Sequence, residues 1–178
     1  SRDGIPCRLE SAYYTTAERT PSYLYGGDNT AYDSRIRPFS LCPEMTDTVG
    51  ATVVAEYGDA PFGKLLPRPV PLFFFTERVA CDYTETDGYY TVKLDCAKHF
   101  SPYFKVKAEN GAIIEAFSDR YEVNGGPGDF NSYRGHRAEY ICHDGEQEFE
   151  MLDWIFGEKI YFTVKGKAQI LELGYRES

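Results

Sequence analysis

Three observations predict an all-β domain, a sandwich or a barrel. Seven segments after Thr76, TDGYYTVKLDC, SPYFKVKAEN, AIIEAFSD, HRAEYICHDG, EFEMLDWIFG, KIYFTVKG and AQILELGYR, are strand-like and follow one another at roughly the 8–12-residue spacing of such folds. Glycine or polar turns separate them, and no segment carries the 3.6-residue period of a long amphipathic helix. Aromatic residues make up 16% of the chain, with fifteen Tyr and twelve Phe against two Met and one Trp. Such residues suit a pleated, half-buried surface. Short helical turns are expected only near Ala97–Phe100 and Trp154–Gly157.

At 178 residues the chain is read as one domain, 1–178, able to bury a real core. Residues 1–75 supply N-terminal strands and a proline-rich strap, and residues 76–178 the regular strands. Early strands are expected at Cys7–Thr15, Ser22–Tyr25 and Ala51–Gly58, the last with Val53, Val54 and Tyr57 as core candidates. Pro67, Pro69 and Pro71 cannot donate to a ladder, so their stretch reads as an edge strand or a strap. The segment Glu109–Gly145 organises the rest. Ile113, Glu115 and Phe117 alternate with Ile114, Ala116 and Ser118, Gly125-Gly126-Pro127-Gly128 breaks the pattern, and a strand returns.

The formal charge of −9 argues against nucleic acid and against an anionic membrane surface, both of which need clustered Lys and Arg. No apolar run approaches the ~20 residues of a membrane-spanning helix. Five cysteines, Cys7, Cys42, Cys81, Cys96 and Cys142, are an odd number without C-x-x-C spacing. A full disulfide framework is therefore excluded, and most are expected to be buried thiols. In an exported protein, free thiols point to a reducing or anaerobic niche.

No G-x-S-x-G, H-E-x-x-H, P-loop or G-x-G-x-x-G motif occurs, and His99, His136 and His143 lack zinc spacing. Glu115, Asp119, Asp129 and Glu139 offer carboxylate pairs for glycoside hydrolysis, as any acidic domain does. Binding residues are more concentrated. Asp28 and Asn29, with Asp33 and nearby carbonyls, form an all-oxygen donor set suited to Ca²⁺, or else an Asx-turn without an ion. Tyr25 and Tyr32 flank them and can stack on a sugar ring or pack on the sheet, and Arg35 can serve hydroxyl groups. A similar set, Asp129, Asn131, Tyr133, Arg134, His136 and Arg137, lies in the central loop, although Arg134 and Arg137 can instead pair with Glu139 or Glu115. Trp154, beside Leu152, Ile155 and Phe156, reads as core before it reads as a binding platform.

Two motifs in order resemble a known family. DNTAYDSRIRP is similar to the G-E-x-Y-D-A-R motif of the N-terminal β-sandwich module of bacterial α-L-rhamnosidases, and KLLPRPVPLFFF resembles the L-x-P-R-x-I-P-L strap that follows it there. LDCAKHFSPYFKVKAENGAIIEAFSD and SYRGHRAEYICHDGEQEFEML resemble the next jelly-roll module. Ser34 stands where alanine is usual, Phe117-Ser118-Asp119 replaces Y-S-E, and Lys159 lies two residues from Tyr161 where an arginine normally precedes the aromatic. The resemblance covers about Tyr25–Phe162. It implies a jelly-roll (concanavalin-like) β-sandwich of two antiparallel sheets that is not itself catalytic, since the family's catalysis belongs to a separate (α/α)₆ barrel. The implied function is a secreted or cell-surface bacterial carbohydrate-binding module of a multidomain glycosidase. Its partners would be that catalytic domain and a plant cell-wall or pectic polysaccharide or oligosaccharide, rhamnose-containing ones included, with Ca²⁺ held at Asp28-Asn29. Packing against the barrel without any ligand is the alternative.

Overall fold

The computed structural model describes residues 11–19, 28–40, 76–121 and 137–177. Ten strands are formed among the described residues: β1 Tyr13–Arg19, β2 Asp28–Asp33, β3 Arg78–Ala80, β4 Thr84–Thr86, β5 Tyr89–Ala108, β6 Ile113–Ser118, β7 Arg137–Ile141, β8 Gly145–Glu150, β9 Ile155–Lys165 and β10 Ala168–Glu177. A three-residue 3₁₀ turn, Asp119–Tyr121, is the single helical element among the described residues. The all-β class is thus observed. Expected elements at Ser22–Tyr25 and Ala51–Gly58, the proline strap and the Gly125–Gly128 excursion lie outside the described residues.

The strands follow the order β1-β2-β7-β6-β9-β5-β10-β3, with β4 and β8 also pairing β5. β2 and β7 run parallel, and the other pairings are antiparallel. β5 is the hinge of this arrangement. Its first part lies between β4 and β9, and its second part, from Phe100 onward, pairs β10 and β8. Two expected strands and the helical turn at Ala97–Phe100 are therefore one continuous strand. Between the pairs Lys93↔Lys159 and Lys98↔Gly157, β5 advances five residues while β9 advances two. The surplus is a bulge, which bends the strand, and Phe100 beyond it is fully buried. The turn expected at Trp154–Gly157 is likewise absent, because Ile155 pairs with Phe100 and opens β9.

In the central strands the core side chains come from one parity of the pleat, while β6 is buried on both faces. Phe104 of β5 and Phe149 of β8 meet Tyr140 of β7, with ring centroids 5.4 and 4.8 Å from it. Ile114, Ala116, Ala138, Ile160, Phe162 and Leu173 complete the core. Among the described residues, glycines with positive φ stand at the turns before β5, before β6, at the start of β8 and before β10. At Gly166 φ is +93° and an added Cβ would lie 3.2 Å from the Ala112 Cα, so β9 turns into β10 at a residue that needs no side chain.

Ser34, just past β2, is buried and ties three segments together. Its hydroxyl donates to the Ile141 carbonyl at 2.7 Å and accepts from the His143 N–H at 2.8 Å. Gln147 closes the same turn by donating to the His143 carbonyl at 2.7 Å. Ser34→Ala should cost about 1–2 kcal/mol, the usual loss for a buried hydroxyl with satisfied partners, read as a lower midpoint in urea unfolding.

Candidate functional site

On the sheet face turned away from the core, β5, β6, β7 and β9 line a cavity of about 380 Å³ bounded by Asp87, Tyr89, Glu115, Arg137, Thr163 and Lys165. Registry brings these residues together. Glu115 lies opposite Glu139 on β7 and opposite Thr163 on β9, and Thr163 lies opposite Tyr89 on β5. All carry the outward parity, complementary to inward Ile114, Ala138, Tyr140 and Phe162.

Glu115 is the hub. Its carboxylate is within 3.3 Å of Arg137 Nε and 3.0 Å of Lys165 Nζ, and it accepts a hydrogen bond of 3.1 Å from the Thr163 hydroxyl. Both Glu115 and Arg137 are buried, whereas Lys165 is largely exposed and stands at the rim. Arg137 also approaches Glu139 at 3.8 Å. The Tyr14 hydroxyl donates to Glu139 at 3.1 Å. Burial first, then the nearby Glu139 charge, push the Tyr14 phenol up to about 12, so it remains a donor across the neutral range. A buried pair of this kind is costly to assemble and costly to break. The wall offers a carboxylate acceptor, cationic donors and hydroxyls within one concavity, at a volume typical of small-molecule sites.

The residues expected to bind sugar are placed differently. Tyr32 is only 3% exposed; its ring lies edge-on to Tyr13 at 4.7 Å and parallel to Tyr140 at 5.8 Å. It is a core residue and presents no face to a ligand, because the parity of β2 turns it toward β7 and the interior. Arg35 is held by Asp33 through two side-chain hydrogen bonds of 2.9 and 2.7 Å. The side-chain hydrogen bond from Arg35 outweighs the effect of burial and holds the Asp33 carboxyl below the usual carboxylate range. Asp28 and Asn29 lie within β2, paired to β1 through Arg19↔Asp28, so their backbone is extended strand rather than turn. Tyr25, Asn131, Tyr133 and Arg134 are outside the described residues. No group of three or more metal-ligating side chains occurs among the described residues.

The ion pairing of Arg137 with Glu115 and Glu139, read from sequence as one alternative, is present. Tyr89, Thr163 and Lys165 escaped the sequence reading. Their signal, the outward positions of strands neighbouring β6, becomes visible only once registry is known. Of the described cysteines, Cys142 alone is buried, whereas Cys81 is half-buried and Cys96 exposed, and all three are free. Most were expected to be buried. Cys96 falls in the β5 bulge, which lifts it off the regular pleat.

No protein-family model matches the chain, and no curated protein matches it. Among solved structures, it is similar to a GH78 family rhamnosidase of Bacillus sp. GL1, with 22% identity over 62% of this chain and a TM-score of 0.40. The match spans 11% of that chain, and at this level the likeness carries no statement about the function of the present one.

Proposed function

We propose that the domain is a non-catalytic carbohydrate-binding module that seats a sugar residue in the Glu115–Arg137 cavity. The observation that carries this reading is the cavity itself, where a buried carboxylate, a guanidinium, an ammonium and two hydroxyl-bearing side chains line one space. Sugar hydroxyls both donate and accept, so a wall of mixed polarity matches them better than a single-sign wall would. The glycan class proposed is plant cell-wall or pectic, rhamnose-containing chains included, and the setting an exported multidomain glycoside hydrolase. Ca²⁺ at Asp28-Asn29 remains part of the proposal.

One observation favours a second reading, a structural module packed on a catalytic domain without ligand. The Glu115 carboxylate already meets a guanidinium, an ammonium and a hydroxyl inside the chain, as in an ion pair that only holds strands together.

Affinity electrophoresis on plant polysaccharides, including rhamnose-containing pectin, separates the two. Retention is expected, with Lys165→Met weakening it by about tenfold, the loss of one charge-assisted hydrogen bond worth about 1.4 kcal/mol. Lys165 is at the rim, so its loss should leave the fold intact. No retention on any polysaccharide establishes the structural reading instead. Retention that survives both EDTA and Asp28→Ala removes calcium from the proposal.

A further inference from the structure

The cavity leaves a second feature of the same ribbon unexplained. Trp154, the sole tryptophan, is 42% exposed, and Leu152 beside it is 63% exposed. The His99 ring on β5 lies edge-to-face with Trp154, centroids 4.6 Å apart, and 4.9 Å from the Phe156 ring on β9. Beyond Phe156 the Arg120 guanidinium sits 5.5 Å from that ring, steadied by Glu158 at 3.2 Å. The four groups form a row on the surface: indole, imidazole, phenyl, guanidinium.

The row is held rigidly from beneath. Ser101 donates to the Asp153 carbonyl at 2.9 Å, and the Asp153 carboxylate accepts from the Trp154 N–H at 2.8 Å. Ser118 donates to the Phe156 carbonyl at 2.7 Å. Asp119 accepts from the N–H groups of Glu158 and Lys159 at 2.8 and 3.0 Å. Gly157 has no room for a side chain, since a Cβ there would stand 2.8 Å from the Ser118 Cβ. With the backbone fixed in this way, only the side-chain torsions remain to be ordered on binding.

We infer that the exposed indole of Trp154, buttressed by His99 and Phe156, forms a second glycan-contact platform on which a sugar ring lays its C–H-rich face, with Arg120 and Glu158 at hand for its hydroxyls. This inference rests on the carbohydrate-binding reading and adds a second point of contact, so that the module holds a chain rather than a single residue. What favours a glycan is the Arg120–Glu158 pair at the end of the ring row, which offers both a donor and an acceptor to hydroxyls beside an exposed indole. Trp, Phe and Arg are also common in protein interfaces, so a protein partner is one outcome of the test. Ring faces attract the weakly positive C–H groups of a sugar as they attract ring edges.

Because Trp154 is the sole tryptophan, intrinsic fluorescence reads this site alone. Oligosaccharides cut from rhamnose-containing pectin, titrated in order of increasing length, should change the emission saturably in the wild type and in Lys165→Met. Trp154→Ala should weaken retention on the polysaccharide at least tenfold and leave calorimetric binding of the shortest ligand unchanged, and Trp154→Phe should restore most of the retention. Glycan binding with unchanged emission and full retention by Trp154→Ala overturns the platform and leaves the cavity reading intact. Loss of binding to a catalytic domain by Trp154→Ala, with glycan retention unaffected, makes the row a protein interface and overturns it equally. No binding of any glycan by the wild type overturns the cavity reading and the platform with it.

Discussion

Glu150→Ala should lower the free energy of unfolding by about 3–5 kcal/mol, the usual result of removing one partner from a buried charge network. Glu150 is buried on β8, its side chain only 4% exposed. Arg176 of β10 reaches it through Nε at 2.6 Å and Nη2 at 3.0 Å, and Arg78 of β3 through Nε at 2.6 Å. Arg78 also covers the Tyr103 ring at 4.3 Å. Alanine would leave the two guanidinium groups close together without the Glu150 charge, with Arg78 retaining its 3.2 Å contact to Glu148 and Arg176 its hydrogen bond to the Thr76 carbonyl. Glu150→Gln, which keeps the shape but loses the charge, should cost less, and urea unfolding of both variants at neutral pH checks the order.

The same group makes stability fall in acid. Burial alone would raise the Glu150 carboxyl, but the hydrogen bonds and charges of Arg176 and Arg78 prevail and hold it below its ordinary 4.5. A carboxyl lowered on folding contributes stability that is fully present above its unfolded value. That contribution is lost as the pH drops through the lower folded value. The difference between wild type and Glu150→Gln should therefore shrink when unfolding is followed from neutral pH to below 4.

Gly174→Ala should detach β3 from the sheet at a cost of about 1–3 kcal/mol or more, the range for forcing extra volume into a packed site. Gly174 pairs with Ala80, and a Cβ added to it would collide with the backbone carbonyl of Val79. A backbone atom within a paired strand cannot rotate away as a side chain can. Hydrogen exchange resolved to Arg78–Ala80 and to the facing residues of β10 should show accelerated exchange there, with β6 and β9 protected as before. Unchanged protection in β3 would mean that the edge shifts as a unit to admit the methyl group.

The strands were legible because the pleat gives core positions a period of two. The alternation of Ile113–Ser118 is readable in the sequence even though the strand is buried on both faces, and the pairing of outward Glu115 with Arg137 is one of two readings the residues allow. Tyr32 and Trp154 were harder for one shared reason. Tyr32 sits in a polar, tyrosine-rich stretch resembling a binding loop, yet β2 pairs β7, more than a hundred residues away, and that pairing turns the ring inward. Trp154 sits in an apolar stretch resembling core, yet β9 begins only at Ile155, so the connection carrying Leu152 and Trp154 stays outside. In both cases the decisive fact is a non-local pairing that local composition does not encode. The cavity shows the same limit, since Tyr89, Thr163 and Lys165 become neighbours of Glu115 through registry alone.

The long β5 strand and its partner β9 have a metrical consequence. Tyr89 and Thr163 belong to the cavity, His99 and Phe156 to the aromatic row, and each pair lies directly opposed across the same two-strand ribbon. Phe156 and Thr163 are seven residues apart on β9, about 23 Å at ~3.3 Å per residue. The β5 bulge between Lys93 and Lys98 falls inside this span and bends the ribbon, so the spacing is set by strand pairing but the path between the two groups is not straight. If both groups hold sugar as proposed, a glycan long enough to span them would gain avidity from both contacts, and a shorter one would gain none. Chain length would then be selected by the ribbon itself, beyond the choice of sugar made at either end.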